Sequence, residues 1–131
     1  MPTESVPGPL HGARVLIVED DFIVAQSLEF LLATCGCEVI GIAPTAHDAL
    51  GLIAARPVDA AVLDIHLRGG SVAPLAEVLA ARHTPFVFVT GYADLDMLPE
   101  ALRGHPRLDK PVVADTLIAT LARVLDRADH D

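Results

Sequence analysis

From Ala13 onward the chain alternates between two periodicities, and no other feature constrains its fold as much. Short runs rich in Val, Ile and Ala recur at residues 13–18, 38–43, 59–63 and 86–89. A fifth strand, with the weakest signal, is expected around 107–109. Between them lie segments with apolar residues at helical spacing. Residues 22–34 carry Phe22, Ile23, Leu28, Leu31 and Leu32, with Gly36 as a stop signal. Thr45 is a good N-cap for a helix to Ala55, closed by Arg56-Pro57. Further helices are predicted over 72–82 and 115–127, while 94–102 is short and interrupted by Pro99. The first, third and fourth strands are continuously apolar rather than alternating. A parallel sheet covered on both faces requires that pattern. Five βα units with right-handed crossovers predict an α/β fold, a three-layer doubly wound sandwich on a five-stranded parallel sheet.

The length of 131 residues suits one domain. Residues 1–12 hold three of the ten prolines and little apolar periodicity, so they read as a flexible tail. The folded part is then 13–127, and 128–131 is a fraying end. The core must come from Ala, Val, Leu and Ile, because aromatics are 4% and Trp is absent. The formal charge of −9 argues against nucleic acid and against an anionic membrane. No apolar run is long enough to span a bilayer, and the N-terminus lacks a signal-peptide pattern, so a cytoplasmic location is expected. Cys35 and Cys37 are too close in sequence to bridge readily and too few for zinc, so they read as small buried thiols.

In doubly wound folds, sites form beyond the carboxyl ends of the strands. There this chain carries Glu19, Asp20 and Asp21 after the first strand, Asp64 after the third, Thr90-Gly91 after the fourth and Lys110-Pro111 after the fifth. Asp21 is the expected helix cap. Glu19, Asp20, Asp64, Thr90 and Lys110 would converge on one mouth. Three carboxylates in one crevice repel unless a cation intervenes, and an all-oxygen set with room for water suits Mg²⁺. Lys110, the sole lysine among nine basic residues, can pair with a carboxylate and then with a phosphoryl oxygen. Thr90 offers a hydroxyl to the same oxygen. Asp64 could be the nucleophile, forming an acyl phosphate. Taken singly, each of these residues is an ordinary turn, cap or loop residue; the information lies in their order and positions.

These residues resemble the receiver domain of two-component response regulators, with the flavodoxin/CheY-like fold, over about residues 13–125. The resemblance implies that Asp64 is the phosphoacceptor and that Thr90 and Lys110 sense the phosphoryl group. It implies that Glu19, Asp20, Asp64 and the main-chain carbonyl of His66 hold Mg²⁺ or Mn²⁺, with Asp20 in direct contact and Glu19 mostly through water. It further implies a bacterial histidine kinase or histidine phosphotransfer protein as donor, and output by protein contact or phosphorelay. Such a domain catalyses its own phosphorylation and dephosphorylation and is otherwise not an enzyme.

Some positions depart from the family pattern. The usual Met-Pro after the phosphoacceptor is absent from residues 64–71, and Arg107 replaces the usual switch aromatic. Pro99 shortens the fourth helix, which undercuts the usual dimer face and favours a monomer before phosphorylation. The run 85–92 with Pro99 and Lys110-Pro111 looks like the FAT GUY subgroup, often stand-alone regulators. His66 and Tyr92, each two residues past a site residue, are expected to flank the hydrolytic water and tune phosphoryl lifetime; Tyr92 is also a candidate switch aromatic. His47, His83 and His105 read as surface residues, and Phe22, Phe30, Phe86 and Phe88 as core. Two other classes also place function at strand ends. A haloacid-dehalogenase-type phosphatase needs a second Asp where His66 stands. A flavodoxin-like cofactor binder needs a phosphate-friendly loop where Glu19, Asp20 and Asp21 stand.

Overall fold

Residues 8–91 and 97–130 are described by a computed structural model. The strands are β1 (Arg14–Val18), β2 (Glu38–Ala43), β3 (Ala60–Asp64), β4 (Phe86–Thr90) and β5 (Arg107–Asp109). The helices are α1 (Phe22–Thr34), α2 (Ala46–Ala55), α3 (Ala73–Ala81) and α4 (Ala114–His130). All strand pairs are parallel, in the order β2-β1-β3-β4-β5. This is the expected α/β sandwich, and its switch point lies between β1 and β3, where the winding reverses.

The strand pleat explains why β1, β3 and β4 are apolar throughout. Alternate side chains go to opposite faces, and both faces are covered. Leu16, Val18, Ala61, Leu63, Phe86 and Phe88 pack under α2 and α3. Val15, Ile17, Ala60, Val62, Val87 and Val89 pack under α1 and α4. Each fully buried Val, Leu, Ile or Phe contributes about 1.5–3 kcal/mol, so this two-sided core dominates the stability.

Local signals set the helix ends. The Asp21 carboxylate accepts from the Ile23 and Val24 amides (3.0 and 3.1 Å), and Thr45 Oγ1 accepts from the Asp48 amide (3.0 Å). Past α1, Gly36 takes φ +88°, where a β-carbon would also stand 2.8 Å from His11 Nδ1.

Several expectations need correction. Residues 8–12 are not all tail: Leu10 is 1% exposed in the α1/α4 core, and the Gly12 amide donates to the Gly36 carbonyl (2.7 Å). Phe22 and Phe30 are not core but 70% and 76% exposed, because α1 lies on the sheet through Ala25, Leu28 and Leu32. His105 is half-buried, its ring 4.5 Å from that of Phe86. The last helix runs to His130, three residues past the expected boundary. Between β4 and β5, the described residues include a 3-10 turn, Glu100–Leu102, starting after Pro99, in keeping with the short, Pro-interrupted segment expected there. Leu98 and Leu102 bury there in the core on the α2/α3 side of the sheet.

Candidate functional site: an acidic mouth at the carboxyl ends of the strands

The parallel ladder delivers the side chains. The Glu19 amide donates to the Ala43 carbonyl (3.0 Å), which extends β1 by one residue. The Ile65 amide donates to Val89 and the Lys110 amide to Thr90 (3.0 and 2.8 Å), so β3, β4 and β5 end level with one another. Glu19, Asp20 and Asp64 therefore offer oxygens that all lie within 4.8 Å of one another. Glu19 and Asp64 side chains are each 2% exposed, and Asp20 is 15% exposed.

Lys110 leans over this cluster. Its Nζ is 3.3 Å from Glu19 Oε1 and 3.4 Å from Asp64 Oδ2. The Lys110-Pro111 bond is cis. Burial pulls the ammonium pKa down, but Asp64 and Glu19 outweigh it and the net shift is up. Burial pushes Glu19 up to about 7, Asp64 adds to that, and the Asp21 amide and Lys110 oppose it. Glu19 Oε2 accepts from the Asp21 amide (3.1 Å). Glu19 Oε1 has no aligned donor: Lys110 is near enough to pair in charge, but not placed to donate. A buried carboxylate oxygen left without a donor is costly, and a hard cation is the partner that the donor set fits.

The remaining candidates are placed less directly. Asp64 Oδ1 accepts from the His66 amide (3.0 Å), which turns the start of the β3–α3 loop back over the strand end; the His66 side chain is exposed. Thr90 is buried and level with Asp109, but its hydroxyl donates to the Gly91 carbonyl (2.8 Å) rather than into the carboxylate cluster. Tyr92 lies outside the described residues. One contact had no signal in the sequence. Arg68, 48 residues from Asp20, donates to Asp20 Oδ2 through its amide (2.8 Å) and through Nε (3.1 Å). Burial draws Asp20 upward, yet these Arg68 bonds hold its pKa below the ordinary value.

Residues 15–122 match the response regulator receiver domain. The chain belongs to this family. SdrG from Sphingomonas melonis Fr1, a receiver solved in solution, is 39% identical with a TM-score of 0.76. That match covers 87% of this chain and 97% of SdrG. The PhyR stress response regulator is 26% identical with a TM-score of 0.77, covering 94% of this chain and 49% of that one. Nodulation protein W of Bradyrhizobium diazoefficiens is 33% identical over 88% of this chain and 52% of that protein. This receiver thus spans about half, or less, of the curated relatives it matches.

Membership settles the class. The chain has a receiver function in two-component signalling, and neither the phosphatase nor the flavodoxin-like reading is supported. A receiver implies a phosphodonor such as a histidine kinase. Receivers bind Mg²⁺ at an acidic pocket, and Glu19, Asp20 and Asp64 form such a cluster here. Among the described residues, no helix is long and apolar enough to cross a membrane.

Proposed function

We propose that this receiver takes a phosphoryl group from a phosphohistidine onto Asp64 and signals through protein contacts. The observation that carries this is the buried Asp64 carboxylate at the end of β3, facing Lys110 and within 4.8 Å of two further carboxylates. The P–N bond of the donor breaks, and a P–O bond to Asp64 forms. Lys110 is free to follow the charge from the carboxylates to the phosphoryl oxygens. Thr90 turns its hydroxyl from Gly91 toward the same group. Glu19, Asp20, Asp64 and the His66 carbonyl would hold the cation, with Glu19 acting mostly through water. A cation held there would supply positive charge to offset the charge on the transferring group.

Two relatives support the reading. SdrG is nearly spanned by this chain and is also known in a BeF3-activated conformation, 41% identical here; BeF3 has the shape and charge of a phosphoryl group. PhyR is a stress response regulator. With Pro85-Phe86, Thr90-Gly91-Tyr92 and Pro99, they favour the FAT GUY subgroup and a place in stress signalling. The donor would dock on α1. Phe22 and Ile23 (70% and 74% exposed) directly follow Glu19-Asp20-Asp21, and an apolar groove beside them is lined by Leu31, Pro111 and Val112. Outside its own phosphorylation and dephosphorylation, no turnover of substrate is expected.

The test compares wild type and Asp64→Asn after incubation with acetyl phosphate and Mg²⁺. Intact-mass analysis should show one added phosphoryl group on wild type alone. Equal labelling of both proteins would refute Asp64 as acceptor.

A further inference from the structure

Asp20 faces the acidic cluster, yet one of its oxygens is already engaged. Asp20 Oδ2 accepts two charge-oriented bonds from Arg68, one from the main chain and one from the guanidinium. The two have different consequences. The main-chain bond belongs to the loop, whose course is also held by Gly69 against Thr45; a β-carbon on Gly69 would lie 2.9 Å from Thr45 Cγ2. The guanidinium is a removable addition: its side chain is 77% exposed, and the tested bond is its own Nε–H. It brings a fixed positive charge to the carboxylate that stands nearest to solvent in the cluster. A dication arriving at either Asp20 oxygen meets that charge at a few ångströms, where like charges repel appreciably even near the surface.

We propose that Arg68 is a positioning residue that occupies Asp20 in the resting site and competes with the divalent cation for it. The inference rests on the metal site of the proposed function, and its consequence is specific. Arg68 lowers the affinity for Mg²⁺ and leaves Asp20 when the ion binds. Because the pair is exposed on the arginine side, the effect is modest. Measured exposed pairs imply about a two- to fivefold change in affinity.

The experiment titrates the full, unphosphorylated chain with MgCl₂ by calorimetry, with no phosphodonor present. Arg68→Ala should bind Mg²⁺ about two- to fivefold more tightly than wild type. Arg123→Ala, the same charge change on an exposed face of α4, should bind as wild type does. In wild type, the Arg68 Nε–H resonance should shift along the same titration, with the same midpoint. Equal or weaker binding by Arg68→Ala would overturn the proposal. So would an Nε–H resonance that stays in place at saturation. Absence of Mg²⁺ binding in every protein would defeat the metal site itself, and the competition with it.

Discussion

Replacing Glu19 by Gln removes a buried charge and keeps the shape of the side chain. In the folded protein, burial raises the Glu19 pKa from 4.5 to about 7. Below pH 4.5 the group is protonated in both folded and unfolded chains and costs nothing. Between 4.5 and about 7 the unfolded chain releases a proton that the folded one keeps, so stability falls as the pH rises. Above 7 the penalty is complete, with a ceiling of about 3 kcal/mol at about 1.4 kcal/mol per unit. Relaxation and water entry reduce such penalties, so the expected gain in Glu19→Gln is about 1–2 kcal/mol at pH 8 and far less at pH 5.5. For a domain of this size that gain corresponds to several degrees in Tm, about 3–5 °C per kcal/mol. The assay is urea unfolding of both proteins at pH 5.5 and 8.0 in EDTA. Other groups do not mimic the effect. Burial lowers the His105 pKa, so its contribution rises with pH and ends at 6.5, and it is common to both proteins. Asp20 and Asp59, both lowered, lose their contribution only as pH falls below 3.8. Added Mg²⁺ should stabilise wild type more than the variant at pH 8. A stability gap that does not widen between pH 5.5 and 8.0 would refute the claim that burial governs Glu19.

Further outcomes follow from the same geometry. Phe22→Ala and Phe30→Ala should leave the unfolding midpoint within about 0.5 kcal/mol of wild type, since both rings are exposed, yet slow phosphotransfer from a phosphohistidine protein without slowing labelling by acetyl phosphate. Phosphotransfer from the phosphohistidine protein at the wild-type rate in both variants would remove α1 as the docking face. Asp21→Ala should cost about 1 kcal/mol in denaturant unfolding through loss of its two capping bonds. His66→Ala and Tyr92→Ala should change the half-life of the phosphorylated protein, followed by loss of the phosphoryl mass; unchanged lifetimes in both would end their assignment as lifetime residues.

Much of the site was legible because a parallel sheet converts sequence order into position. Once β1, β3 and β4 were recognised by their apolar runs, and β5 by its place before Lys110-Pro111, Glu19, Asp64, Thr90 and Lys110 had to fall at one edge. Strands β2 and β5 and helix α1 have the bounds that the pattern suggested, because turn and cap residues flank them: Asp21 and Gly36 around α1, Lys110-Pro111 after β5. Legibility failed where apolar residues lie all round a helix. In α1, Phe22, Ile23, Leu28, Leu31 and Leu32 leave several possible inner faces, and the bulk of the aromatic rings favoured burying Phe22 and Phe30. The close seat of α1 on the sheet selects Ala25, Leu28 and Leu32 and turns Phe22 and Phe30 outward.

The sequence by itself determined the element types, their order and the convergence of the strand-end residues, since these follow from periodicity, breakers and the handedness of βα crossovers. The tertiary structure decided what depends on contacts between distant segments. It docked Leu10 in the core, stacked His105 on Phe86, and left Glu19 Oε1 buried without an aligned donor. It also laid Arg68 on Asp20 across 48 residues. No local pattern encodes these, because each depends on how two loops or helices come to rest on the same sheet.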